Sequence, residues 1–297
     1  MRNEHFIYVK NAGGAWITSP HPSRMVVRGH RATLIVHGYN NDPEDAGKSY
    51  SAFYVELGGL LHSHQVDHLW EVYWPGYVPI KSRKIQTAVT APTYSYQVLK
   101  APDVGKALAD HILAAPDLRE VQFIAHSLGC RVVLETLKHL RNAAALGHQI
   151  SITAICLMAA AVPVSSVDSG APLEGAAKFA AKHYILYSPA DHVLKWYFRP
   201  GQFLAIGNRW SQAIGRFGKP ESCWTNRWEN VLNTGLDHGE YYTGRPILSV
   251  FSPSRTAPTF ARMFGYALPR YLLEHDTYIV SWPEPSSSIL REHTSAE

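Results

Sequence analysis

One stretch, Val121 to Gly129 (VQFIAHSLG), constrains this chain more than any other. A short apolar run, Val121-Gln122-Phe123-Ile124, stops at Ala125-His126-Ser127-Leu128-Gly129, and the helix-like CRVVLETLKHLRNAAAL follows at once. Strand, sharp turn with serine at its apex, then helix is the layout of a nucleophile elbow. The turn holds the serine backbone in a strained conformation, so the residues two before and two after it must be small. Ala125 and Gly129 meet that requirement, with alanine standing where the first glycine is usual.

The flanking sequence suits such an elbow. Ala32 to Val36 reads as a strand buried on both faces, ending at His37-Gly38-Tyr39-Asn40-Asn41. Asp42 and Pro43 supply an N-cap and a first-turn proline. The helix they open carries one stripe at Ala46, Tyr50, Phe53, Leu57, Leu60 and Leu61. Further strands are expected at His68–Trp74, Ile150–Ala159, His183–Ser188 and, more weakly, Trp228–Asn233. Residues 77–92 read as a polar, proline-bearing loop, and the stretch from Tyr94 to Ala115 turns helical in its second half. Helices Leu128 onward bury Val132, Leu137 and Leu140. Strands alternating with helical patterns imply an α/β fold, a mostly parallel sheet flanked by helices on both faces. The short segments His5–Lys10 and Arg24–Arg28 suit an antiparallel edge.

The expected organisation is a single domain over residues 1–281, with the antiparallel edge at about 1–30 and an aromatic-rich insert at 193–227. Residues 282–297, Pro/Ser-rich and charged, read as a flexible tail. The connection before the strand at His183 is too short for a large cap domain. With 46% hydrophobic and 18% charged residues the chain has ample core, and its net charge of +4 is mild. We find no run of Lys and Arg, nor basic residues interleaved with aromatics, so nucleic acid is not expected as a partner. Cys130, Cys156 and Cys223 show no pairing pattern and favour a reducing compartment. No signal-peptide or membrane-spanning run is seen, so a cytoplasmic location without stable membrane insertion is expected. His62, His64 and His68 have metal-like spacing but no cysteine or acid pair beside them, and no metal or cofactor is expected.

A serine hydroxyl needs a histidine to take its proton and an acid to orient that histidine. In the elbow arrangement the order is Ser, acid, His, each on a loop at the carboxyl end of a strand. Asp191 follows the strand at His183–Ser188, and His238 follows the strand at Trp228–Asn233. Ser127, Asp191 and His238 therefore form the candidate triad, with Asp168 as the competing acid. The backbone N–H groups of Leu128 and Tyr39 are the candidate oxyanion donors. His126 and His192 are expected to have structural roles; Asp237 could brace the His238 loop, with a plain solvated carboxylate the preferred reading.

Taken together these residues resemble the α/β-hydrolase superfamily, and within it a group of bacterial α/β-hydrolases. That group shows a strand ending HGYNN, a W-P after the next strand, an AHS-[LM]-G elbow and a late histidine followed closely by tyrosine. The matches are Ile35 to Asn41, Trp74-Pro75, Ala125 to Gly129, and His238 with Tyr241-Tyr242. The segment Tyr187 to Asp191 is similar to the group's acid-bearing loop. Val164 stands after Pro163 where the group often has aspartate. The resemblance implies an esterase-like fold and mechanism.

The sequence thus points to a serine hydrolase, carboxylesterase or lipase-like, acting on a small-molecule ester through an acyl-enzyme. A thioesterase, amidase or acyltransferase would use the same triad. A non-catalytic binding protein on a hydrolase scaffold is the competitor of another class. Trp196 and Trp210, in the aromatic insert, are candidate walls of an apolar substrate pocket beside His238. The competing reading is a helical face packed on the core.

Overall fold

A computed structural model describes residues 6–12, 15–19, 30–41, 43–58, 69–76, 83–207, 212–218 and 230–241. Eight strands form one sheet: β1 (Phe6–Ala12), β2 (Ala15–Ser19), β3 (Arg31–Val36), β4 (Leu69–Tyr73), β5 (Glu120–His126), β6 (Ser151–Met158), β7 (His183–Tyr187) and β8 (Asn230–Asn233). Their order across the sheet is β2-β1-β4-β3-β5-β6-β7-β8, with β2 antiparallel to β1 and every other pairing parallel. The inner strands are mostly apolar because both their faces are covered. In β4 all five residues are buried.

Helices flank this sheet: α1 (Pro43–Gly58), α2 (Arg83–Leu113), α3 (Gly129–Ala145), α4 (Val164–Val167), α5 (Glu174–Phe179), α6 (His192–Trp196), α7 (Phe198–Ile206) and α8 (Ile214–Phe217). Between β6 and β7 stand α4 and α5 alone, so no large cap interrupts the fold there. The stripe expected on α1 buries Ala46, Tyr50 and Phe53. Tyr50 does more than fill space. Its hydroxyl donates toward the carbonyls of Ile35 (3.1 Å) and Val72 (2.7 Å) and accepts from the His37 amide (2.9 Å). One side chain thereby ties together the ends of β3 and β4.

Two expectations need correction. The antiparallel partner of β1 is Ala15–Ser19, and β1 itself lies parallel beside β4, so only β2 is the antiparallel edge. Arg24–Arg28 lies outside the described residues. The expected loop at 77–92 is in large part helix, because α2 starts at Arg83 and runs through both Pro92 and Pro102. A proline inside a helix removes one hydrogen bond and crowds the preceding turn. Here burial outweighs that loss: Tyr94, Val98, Ala101, Val104, Leu108 and Ile112 recur at helical spacing and are buried. The proposed tail at 282–297, the histidines at 62, 64 and 68, and Cys223 lie outside the described residues. Cys130 and Cys156 are free and buried. Among the described residues no helix is long and apolar enough to cross a membrane.

Candidate active site

The chain winds outward from β3 to β4 and then returns to β5 on the other side of β3. Ligand crevices in open α/β sheets lie at such a reversal, beyond the carboxyl ends of the strands. The β3–β5 register pairs Val36 with Ala125, which places the loop beginning His37-Gly38 alongside His126-Ser127. The approach is so close that a Cβ on Gly38 would stand 2.8 Å from Ser127 Cβ, and one on Gly129 would stand 2.3 Å from the His37 carbonyl oxygen. Both glycines are required by that contact.

Ser127 has φ of 53°, in the left-handed region that non-glycine residues rarely occupy. Such a residue costs on the order of 1–3 kcal/mol and persists where its surroundings over-determine it. Here the Ser127 amide donates to Met158 O (2.9 Å), and its carbonyl accepts from Cys130 N (3.1 Å) and Ala161 N (3.1 Å). Three bonds from two neighbouring elements fix the turn. Leu128 then leads into α3 with no side chain capping the helix, and the amides of Cys130 and Arg131 donate back to the carbonyls of Ser127 (3.1 Å) and Leu128 (3.0 Å).

Asp191 ends the loop after β7 and is fully buried. Its Oδ1 accepts from the Leu194 amide at 2.8 Å, capping α6. Its Oδ2 lies 2.8 Å from His238 Nδ1, and His238 Nε2 lies 2.8 Å from Ser127 Oγ. A carboxylate only accepts, so His238 carries its proton on Nδ1 and offers Nε2 to the serine hydroxyl. Asp168 stands at the end of α4, where its Oδ1 accepts from the Ser169 amide at 2.9 Å. The structure therefore brings Ser127, His238 and Asp191 together and leaves Asp168 elsewhere.

Residues beside the triad, His126 and His192 among them with the structural roles expected, hold this arrangement. His126 Nε2 donates to the His238 carbonyl at 2.7 Å, and its ring lies 4.9 Å from the His238 ring. Asp237, though half-exposed, is a brace. Its Oδ1 accepts from the amides of His238 (2.8 Å) and His192 (3.0 Å), tying the two loops to each other. His192 Nδ1 adds a longer contact to Asp237 Oδ2 at 3.3 Å. Tyr241 is buried under the loop, with its hydroxyl 3.2 Å from Thr234 Oγ1. Loop-to-loop bonds of this kind join residues with no periodic relation, so adjacency to His238 was the one signal available for Asp237.

The candidate oxyanion loop is equally well anchored. His37 donates from Nδ1 to Gly38 O (2.8 Å) and accepts at Nε2 from the Trp74 amide (3.2 Å), while its ring stacks on Trp74 at 5.6 Å. The Trp74 indole donates to His37 O at 2.8 Å. Asn40 N donates to Gly76 O at 2.7 Å. The Tyr39 hydroxyl meets Thr93 of α2, and its ring stands edge-on to Tyr94 at 5.6 Å.

Of the proposed pocket walls, Trp196 sits on the outer side of α6, largely exposed, with Lys195 Nζ 5.0 Å above its ring. That position suits neither an enclosed pocket nor a face packed on the core. Trp210 lies outside the described residues.

Burial pushes His37 down to about 4 and His126 down to about 3, the charge of His238 adding to the effect on His126. Both are neutral at pH 7, and for His37 the bond accepted at Nε2 requires it. Their folded pKa values lie below the unfolded value near 6.5, so the unfolded chain binds more protons as the pH falls. The stability they contribute is complete above about 6.5 and is lost as pH drops through the folded values. Each tilts stability by ~1.4 kcal/mol per pH unit inside that window. Thermal melts between pH 7 and 4 should therefore fall steeply, and less so in His126→Gln, which keeps a donor to the His238 carbonyl but cannot titrate. Equal slopes for wild type and variant would contradict this account.

Residues 24–199 match the family described as "Alpha/beta hydrolase of unknown function (DUF900)". The match carries β3 to β7 with Ser127 and Asp191, and stops before His238. Among solved structures, a candidate cell surface hydrolase from Lactobacillus plantarum WCFS1 aligns with a TM-score of 0.42 and 9% identity, over 83% of this chain and 96% of that one. No curated protein matches the chain.

Proposed function

The chain belongs to the DUF900 family of α/β hydrolases, and from that premise we propose that it is a serine hydrolase cleaving carboxylic esters through an acyl-enzyme. The observation that carries the reading is the His238 ring, held 2.8 Å from Ser127 Oγ on one side and 2.8 Å from Asp191 Oδ2 on the other. Ser127 Oγ attacks the acyl carbon while His238 Nε2 takes its proton. Asp191 keeps the imidazole oriented and stabilises the imidazolium. The oxyanion is received by the N–H groups of Leu128, at the start of α3, and Tyr39, after β3. Each donor is worth ~3 kcal/mol in the transition state. His238 then protonates the departing alcohol, and water, deprotonated by the same imidazole, releases the acid. The buried free thiols favour a reducing, cytoplasmic setting.

The test is reaction with a fluorophosphonate, which traps an activated serine. Intact mass and peptide mapping should place one adduct on Ser127, and short-chain nitrophenyl esters should be hydrolysed. A well-folded protein that gives neither adduct nor turnover sinks the reading. Thioester and amide analogues, supplied in competition with the ester, rank the leaving groups the site accepts.

A further inference from the structure

The helices that follow Asp191 expose an unusual surface. On α6 and α7 Leu194, Phe198, Gly201 and Gln202 are buried, whereas Val193, Trp196 (62% exposed), Tyr197, Phe203, Leu204 (56%) and Ile206 face solvent. Six large apolar side chains exposed on two successive short helices are many for one surface region, and exposed apolar patches mark binding surfaces. In sequence, the charge of this segment is of one sign. Between Asp191 and Glu221 there is no Asp or Glu, while Lys195, Arg199, Arg209, Arg216 and Lys219 all fall there. The chain as a whole has a net charge of +4, so this segment alone accounts for its positive excess. Two of the cations stand over exposed rings: Lys195 Nζ is 5.0 Å from the Trp196 centroid, and Arg216 Cζ is 5.2 Å from that of Phe217. Basic residues do alternate with aromatics here, contrary to the expectation from sequence.

We propose that the exposed face of α6 and α7 docks on an anionic lipid surface and presents the Ser127 site with an acyl ester resident in that lipid. Short helices with Trp, Tyr, Phe and Leu beside Lys and Arg suit the boundary between acyl chains and headgroups. The rings enter the boundary, and the cations meet anionic headgroups, each raising partition about fivefold, the equivalent of ~1 kcal/mol. No acidic side chain stands on α6 or α7 themselves; the neighbouring carboxylate, Asp237, is held on the His192 amide at the start of α6. The position is functional as well, since α6 begins at the residue that orients His238. The docking is peripheral, with no helix inserted. The substrate part of the inference rests on the ester reading above; the docking part does not.

The experiment is sedimentation of the full chain with vesicles of phosphatidylcholine alone or mixed with phosphatidylserine, beside a duplex DNA control. Wild type should bind the mixed vesicles, release as salt rises, and bind the neutral vesicles far more weakly. Lys195→Glu with Arg199→Glu should lower binding at least ~25-fold, and Leu204→Ser with Ile206→Ser should abolish it. Both double variants should hydrolyse a water-soluble ester as wild type does, which also reports their folding, while losing hydrolysis of a lipid ester held in mixed vesicles. Wild type that ignores vesicles, that binds DNA in preference, or whose vesicle binding survives both double variants overturns the proposal. Fluorophosphonate labelling without vesicle binding would remove the docking surface and leave the ester chemistry. Vesicle binding without labelling would keep the docking surface and remove the ester.

Discussion

Ser127→Ala should produce a folded protein whose ester turnover is lower by on the order of 10⁴ to 10⁶ and which takes up no fluorophosphonate. The size follows from what is removed. Without Oγ the acyl group has no atom to which it can be transferred, and only binding and oxyanion stabilisation are left to help water. The fold should not notice, because the turn is held by backbone bonds from Ser127 to Met158, Cys130 and Ala161, all of which alanine keeps. Alanine is also as strained as serine at φ of 53°, so the melting temperature should barely move. Glycine at the same position should behave differently. It adopts positive φ without penalty, and Ser127→Gly is expected to be inactive yet more stable, by about 1 kcal/mol. Turnover within tenfold of wild type in the alanine variant would mean that another group is the nucleophile.

Asp191→Asn is expected to lower turnover by on the order of 10⁴, while Asp168→Asn should stay within about twofold of wild type, since surface substitutions away from a site do little. An asparagine can present its oxygen to the Leu194 amide and preserve the cap on α6. Its NH₂ must then face His238 Nδ1, which can accept that bond only by moving its own proton to Nε2. The nitrogen beside Ser127 becomes a donor, and the serine proton has nowhere to go. A comparison of kcat with melting temperature checks this directly: activity should collapse while α6 stays folded. A large loss in Asp168→Asn instead would reassign the acid.

The legible parts of this molecule are those governed by repeating patterns. Strands covered on both faces read as unbroken apolar runs at 32–36, 121–124 and 150–159, and β3, β5 and β6 occupy those positions. The turns after β3 and β5 announced themselves through Gly38 and Gly129, whose missing side chains let two loops touch. What escaped was set by neighbours distant in sequence. Pro92 read as the end of a loop and Pro102 as near the start of a helix, because the local cost of proline is visible and the stripe that outweighs it takes the whole of α2 to see. His126 reaches the carbonyl of a residue 112 positions away, and no spacing encodes that. The aromatics after Asp191 were plain in the sequence, but whether they line a pocket, fill the core or face outward depends on exposure alone.

The bond from His126 to the His238 carbonyl has a consequence for how this molecule fails. His126 and Ser127 are consecutive, so one short piece of chain both bears the hydroxyl and grips the loop that must receive its proton. The strand bringing that loop into place, β8, has four residues and, among the described residues, one neighbouring strand, β7. Edges with few contacts open first. When β8 peels away the base leaves with it, while the elbow and most of the helices are still intact. On the proposed mechanism, ester turnover should therefore be lost on mild heating or in dilute denaturant before the far-ultraviolet helical signal falls.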